Sequence, residues 1–190
     1  VGKEFATGED ASLYAGTPPL EALKLLIGEA SSRKGDKLHI MLSDVKRAYF
    51  HAAAQRELYV EMPREDPDWA PDTVGRLNLA LYGTRDAAVN WQETLSGHLV
   101  GLGFIRSVAF PCLFAHPTRD MLTLVHGDDY VTSGKSADLD WLQAELEKSY
   151  EIRSMRVGPR AEKQGNVLNR ILQFNGTEWS FEADPRHAEL

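Results

Sequence analysis

Met121-Leu-Thr-Leu-Val-His-Gly-Asp-Asp-Tyr-Val-Thr-Ser133 sets two apolar, strand-forming runs on either side of Gly127-Asp128-Asp129. Runs of this kind around a glycine read as a β-hairpin, and Gly127 lets the backbone reverse tightly. The charge sits in an odd place. Two adjacent carboxylates stand at the tip, where like charges repel and one pKa must rise unless a cation intervenes. Adjacent aspartates are by themselves expected about once in a chain of this composition, and an exposed type I′ turn is the plain alternative. Upstream, Leu38-His-Ile-Met-Leu-Ser-Asp44 offers a partner. As a strand it puts Leu38, Ile40, Leu42 and Asp44 on one face, so a carboxylate closes an apolar row. Mg²⁺ takes oxygen ligands, usually one or two carboxylates plus substrate phosphate. Two such ions about 3.5–4 Å apart can activate a hydroxyl and stabilise a leaving pyrophosphate. Asp44, Asp128 and Asp129 are the candidate ligands.

The rest of the chain supplies alternating helices and hairpins. Leu113–His116 is a further strand before Met121–His126, joined to it by Pro117–Asp120. Ser136 is expected to cap the next helix, with Asp138 and Asp140 in its first turn and Lys148 in its last. Arg170–Phe174 and Thr177–Glu182 read as a second hairpin around Asn175-Gly176, a strong two-residue turn signal. Near the N-terminus Thr17 reads as a helix N-cap and Pro18 as the first helical residue. Leu20, Leu23, Leu26, Ile27 and Ala30 follow at helical spacing, with a stop at Gly35. Between these lie a short helix within Ala48–Gln55, strands at Glu57–Met62 and Val74–Leu81, and an acidic, proline-rich loop over Pro63–Asp72. A helix over Arg85–Gly101 follows, with Ala88, Trp91, Leu95, Leu99 and Leu102 on one side. Asp184-Pro185 opens another helix. This order favours an α+β fold, an antiparallel sheet with helices on one face.

Composition narrows the function. At 190 residues, 43% hydrophobic and 26% charged, the chain can bury a sizeable core. Its longest apolar run falls far short of the ~20 residues of a membrane span, so no membrane partner is expected. The single Cys112 excludes an internal disulfide and a multi-cysteine zinc site, which fits a reducing, intracellular setting. The histidines show no metal-ligand spacing. A net charge of −7 counts against sequence-independent binding of nucleic acid. One stretch runs the other way: residues 151–170 carry Arg153, Arg156, Arg160, Lys163 and Arg170 against two glutamates. Arg153 and Arg156 are candidates for a nucleic-acid backbone, and a solvated basic loop is the alternative. The start, Val1-Gly-Lys-Glu-Phe5, has neither an initiator Met nor the apolar core of a signal peptide, as expected of a piece of a longer chain.

Several segments together resemble the reverse transcriptases of copia-type LTR retrotransposons. Asp44-Val-Lys-Arg-Ala-Tyr-Phe-His51 is similar to their first catalytic motif, an Asp followed four and five residues later by Ala and an aromatic. Leu81-Tyr-Gly-Thr-Arg-Asp-Ala-Ala-Val-Asn-Trp91 resembles Leu-Tyr-Gly-Leu-Lys-Gln-Ala-x-x-x-Trp. His126-Gly-Asp-Asp129 stands where that family carries Tyr-Val-Asp-Asp. Thr17–Leu23, Glu57–Met62 with Pro63 and, more loosely, Ser149–Leu190 also fit. The ordered set is far more specific than any member. Val1–Phe5 resembles the tail of a fingers motif.

The resemblance implies a palm with part of the fingers over residues 1–190, truncated, with the fingers tip upstream and the thumb downstream. It implies RNA-directed DNA polymerase activity, a nucleotidyl transfer using two Mg²⁺ ions, with Mn²⁺ as a substitute. Asp44, Asp128 and Asp129 would be the catalytic carboxylates and metal ligands, joined by the Val45 carbonyl. Ala48, Tyr49, Arg85 and Asp86 would line the nucleotide site, the Tyr49 ring excluding a 2′-hydroxyl. Partners would be an RNA or DNA template with its primer, dNTPs and the rest of the polyprotein, in a cytoplasmic particle or the nucleus. Alternatives at single residues are a core aromatic for Tyr49, simple helix packing for Trp91 and a helix N-terminal acid for Asp86. His126-Gly127 in place of Tyr-Val, and Arg85-Asp86 in place of Lys-Gln, depart from the family pattern. Two rival functions remain at this point. Gly-Asp-Asp also marks RNA-directed RNA polymerases, but those tend to carry a second Asp where this chain has Tyr49. The other is a catalytically inactive, domesticated palm that only binds nucleic acid, for which the acidic balance and Asp86 speak.

Overall fold

Strand and helix signals that agree with their neighbours decide the architecture. The computed structural model describes residues 18–33 and 38–183. The expectations at Val1–Phe5, Thr17, Gly35 and Asp184-Pro185 lie outside the described residues. Among those described, residues 47–97 form one unit and residues 18–33, 38–46 and 98–183 another.

The second unit is built on a six-stranded antiparallel sheet. Its strands are β1 (His39–Val45), β4 (Ile105–Arg106), β5 (Leu113–His116), β6 (Met121–His126), β7 (Asp129–Gly134) and β8 (Ile152–Val157), in the order β4-β5-β6-β7-β1-β8. β1 is the central element. It pairs with β7 on one side, Leu42 opposite Val131, and with β8 on the other, Leu42 opposite Met155. Side chains alternate between two faces along it. Ile40 and Leu42 join Leu124, Val131 and Val157 under helix α1 (Leu20–Ser32), whose Ala22, Leu23, Leu26, Ile27 and Ala30 form the buried stripe. Each leucine so covered contributes roughly 1.5–3 kcal/mol. A three-stranded sheet of β9 (Gln164–Val167), β10 (Arg170–Phe174) and β11 (Trp179–Ala183) adds Val167, Leu172 and Phe174 to the same core.

The α+β class and antiparallel pairing hold, but the helices do not share one face. Helix α3 (Ser136–Glu147) packs on the opposite side from α1. Arg156, which alternates with Met155, bonds Asp140 of α3 at 2.8 Å, whereas the Ser133 hydroxyl lies 3.5 Å from Glu29 of α1. The reason lies in the strands: Met41, Thr123, Tyr130 and Thr132 are as buried as the α1-facing row, so both faces need cover.

Several boundaries shift from those read in the sequence. Helix α1 starts at Leu20 with Pro19, not Pro18, preceding its first turn, and ends at Ser32. Ser136 is the first residue of α3 and Lys135 its cap, with no side-chain capping bond. Residues 152–157, given no element in the sequence and weighed there as a nucleic-acid contact or a solvated basic loop, form the edge strand β8, where charged side chains on an exposed edge are the normal pattern. The Asn175-Gly176 hairpin exists, but its loop has four residues, with Asn175 Oδ1 accepting from the amides of Thr177 and Glu178. The two-residue turn is Leu168-Asn169, both at positive φ, between Val167 and Arg170.

In the first unit, β2 (Tyr59–Glu61) and β3 (Val74–Arg76) form a two-stranded ribbon. Helix α2 (Ala87–Gly101) starts in this unit and buries Trp91 and Leu95 completely. Residues 48–51 form a single 3₁₀ turn rather than the longer helix expected. No helix among the described residues is long and apolar enough to cross a membrane.

Candidate active site

The register of β1 and β7 places Asp44 directly opposite Asp129. The same cross-strand row continues outward to His126 on β6, opposite Asp129, and to Arg153 on β8, opposite Asp44. His126, Asp129, Asp44 and Arg153 thus lie in one line across four strands, on the face that carries Ile40 and Leu42 further in. The row ends where the apolar core ends, so the sheet that buries α1 also exposes the acids at its rim.

Asp128 is held by the backbone. Gly127 has φ of +59° and Asp128 a negative φ, the sign pattern of a type II′ turn rather than the type I′ alternative. The Val45 amide donates to the Asp128 carbonyl at 2.9 Å, and the Lys46 amide to the Glu151 carbonyl at 2.9 Å. The end of β1 therefore stitches the hairpin tip to the strand that bears Asp44. Asp128 is exposed; Asp44 and Asp129 are half-buried.

The electrostatics follow from this crowding. Burial pushes the Asp129 carboxyl above the ordinary carboxylate range, and the negative charges of Asp128 and Asp44 push it further, with only His126 acting the other way. Three carboxylates in mutual repulsion are a donor set suited to a hard cation. They are neighbours and not a finished cage: among the described residues, no group of three or more His, Cys, Asp or Glu side chains is gathered closely enough to hold a metal by itself. A site completed by substrate phosphate needs only one or two protein carboxylates, so Asp44, Asp128 and Asp129 fit that kind of centre.

A groove of about 270 Å³ opens beside the row. Asp44, Asp129 and Arg153 line it together with Val131, Met155 and, from β9, Asn166. Strand β9 comes this close because Gly165 has no side chain: a Cβ there would stand 2.6 Å from Leu42 Cδ1 and 3.0 Å from Val157 Cγ2. Asn166 escaped the sequence reading because a four-residue polar strand leaves little periodic signal.

The other expected site residues divide. Arg153 is exposed on the acidic face. Arg156 points to the opposite face and is engaged by Asp140, Gln143 and Ser136 of α3, which leaves it a structural tie. The Val45 side chain is buried. In the first unit Ala48 is fully buried, and the Tyr49 ring stacks on Tyr82 with centroids 4.3 Å apart. Arg85 is half-buried. Asp86 is 4% exposed and accepts from Arg56 at 2.9 Å and Asn90 Nδ2 at 3.0 Å. Burial pushes its pKa up, and the bonds from Arg56 and Asn90 outweigh this, leaving it below the ordinary value. Those partners take up both carboxylate oxygens just before α2, the arrangement of a helix-start packing acid. Trp91 is 1% exposed beside His51, in keeping with simple packing.

Comparison with known proteins agrees with the motif order. Residues 6–160 match the family model described as reverse transcriptase (RNA-dependent DNA polymerase). The chain is 25% identical over 138 residues to the retrovirus-related Pol polyprotein from transposon TNT 1-94 of Nicotiana tabacum, covering 70% of this chain and 10% of that protein. It is 27% identical over 142 residues to the transposon Ty1-BL Gag-Pol polyprotein of Saccharomyces cerevisiae, covering 72% of this chain and 8% of that one. The chain thus spans about a tenth or less of the length of these relatives. With the family match running through both the Asp44 strand and the Asp128-Asp129 hairpin, the chain belongs to the reverse transcriptase family.

Proposed function

We propose that this chain carries the catalytic palm of a retrotransposon RNA-directed DNA polymerase, acting on a primed template and dNTPs as part of a longer polyprotein. One observation carries the reading: Asp44 faces Asp129 across β1 and β7 while the Val45 amide fixes Asp128 beside them.

The reaction joins the primer 3′-oxygen to the α-phosphorus of a dNTP, releases pyrophosphate, and gives up the hydroxyl proton to solvent. Asp44, Asp128 and Asp129 would hold two Mg²⁺ ions, which supply charge neutralisation for the attacking oxygen and the leaving pyrophosphate. The chain's own part is positioning. The type II′ turn aims Asp128 outward, and the β1–β7 register fixes Asp44 and Asp129 in one row, so little reorganisation is left for the moment of reaction. Arg153, beside Asp44, suits a phosphate of the primer backbone. The Tyr49 ring would exclude a 2′-hydroxyl. The pairing of Asp86 with Arg56 and of Arg156 with Asp140 argues against a part for either in the chemistry.

Primer extension by the full-length parent protein with Mg²⁺ tests this. Extension with dNTPs should fall by about two orders of magnitude or more in Asp128→Asn. Extension with rNTPs alone would favour an RNA polymerase. Undiminished dNTP extension in Asp128→Asn would remove the acidic row from the mechanism.

A further inference from the structure

Tyr49 sits in a short 3₁₀ turn, half-exposed, and a tyrosine ring has staggered alternatives about χ1 among which its surroundings choose. A wall that rejects one extra oxygen on a sugar has to stay in place to a fraction of an ångström. The first unit contains the means. Ala80 N donates to Ala52 O at 2.9 Å, Ala54 N to Asn78 O at 3.0 Å, and Ala53 bridges Leu79. This antiparallel pairing brings the residues just before Ala52 next to those just after Ala80. Leu81-Tyr82-Gly83-Thr84 then closes as a turn, with Thr84 N bonded to Leu81 O at 3.1 Å and Gly83 at φ +99°. Positive φ at the third position is the type II pattern, which favours Gly there. The turn presents Tyr82 on the Tyr49 ring, centroids 4.3 Å apart and planes inclined by 27°. Phe50 meets Tyr82 edge-on, at 5.6 Å and 85°. The three rings form one cluster, with Tyr82 in the middle.

We infer that Tyr82 is a positioning residue for sugar selection: its ring fixes Tyr49 in the orientation that excludes a 2′-hydroxyl. This rests on the polymerase reading given above. Tyr82 is 43% and Phe50 39% exposed, so neither is a core residue on which folding depends. An offset stack of this kind fixes a ring through face-to-face contact and needs no hydroxyl. Tyr82→Phe therefore keeps the function and Tyr82→Ala loses it.

The test is steady-state primer extension by the full-length parent protein, comparing kcat/KM for a dNTP with that for the matching rNTP. Tyr49→Val should lower the preference for dNTP roughly tenfold or more. Tyr82→Ala should lower it about three- to tenfold, the range spanned by the energy of one aromatic pair. Tyr82→Leu, which fills space without a stacking face, should behave like Tyr82→Ala, and Tyr82→Phe should match the parent. In Tyr49→Val, adding Tyr82→Ala should lower the preference no further. If Tyr49→Val relaxes selection and Tyr82→Ala does not, the positioning role is wrong while the polymerase reading stands. If Tyr49→Val leaves selection intact, Tyr49 is no sugar gate and the inference fails with it. A loss of overall rate in Tyr82→Ala with selection unchanged would likewise overturn it.

Discussion

Gly127 shows how much one residue decides. At φ +59° an ordinary L-residue is strained, yet a Cβ there would meet no atom within 4 Å. Gly127→Ala therefore isolates the backbone term, and we expect a loss of about 1 kcal/mol in a urea unfolding curve. An unchanged midpoint would mean that the turn relaxes freely and does not hold Asp128. Asp86 gives a second prediction. Its folded pKa lies below its ordinary value, so the stability it supplies is fully present above the unfolded-state pKa of about 3.9 and is lost as pH falls through the lower folded value. Asp86→Asn should flatten that acid limb in a plot of urea midpoint against pH. An identical acid limb in the two proteins would show that the Arg56–Asp86 pair is not formed. Both residues also mark what sequence can tell. Gly127 was legible as a turn because glycine is the cheapest residue there. Asp86 was not, because its partner Arg56 lies thirty residues away and only the fold joins them.

Among elements, β1 was the most legible. Its alternation put Ile40, Leu42 and Asp44 on one face, and the pairing agrees residue by residue. Strand β8 was hidden by its own charges: Arg153 and Arg156 point to opposite faces, which erases the period-two signal. Its neighbour β9 was hidden by brevity, and the Leu168-Asn169 turn by having Leu where glycine or asparagine is the usual cue. Gly165 on β9 supplies the test at this scale. A methyl there would press on Leu42 and on the stiff, β-branched Val157. Gly165→Ala should cost roughly 1–3 kcal/mol by overpacking. Adding Leu42→Ala should recover part of that loss beyond what the two single changes predict by addition. Strict additivity would show that β9 does not approach the sheet as described.

For the whole molecule, the ordered motifs carried the family assignment where no single motif sufficed, and the sheet register brings residues 84 positions apart in the chain next to one another. Chain order spread Asp44 and Asp128 far apart; antiparallel pairing of β1 with β7 brought them back together. Charge balance is the cue that speaks against nucleic acid: the net charge is −7, but three of the acidic residues, Asp44, Asp128 and Asp129, gather at the end of β1 and the hairpin tip, where a cation would offset them. The raised pKa of Asp129 has the corresponding sign: its ionisation weighs on the folded state increasingly as pH rises through the raised value, and a cation at the row removes that burden.

Thermal unfolding at neutral pH, with and without millimolar Mg²⁺, tests the acidic row most directly. Binding to the folded state alone raises the midpoint by mass action. Mg²⁺ should raise the midpoint of the natural protein, and the rise should shrink in Asp44→Asn and in Asp128→Asn. No rise in the natural protein, or an equal rise in all three, would contradict a cation site at the row.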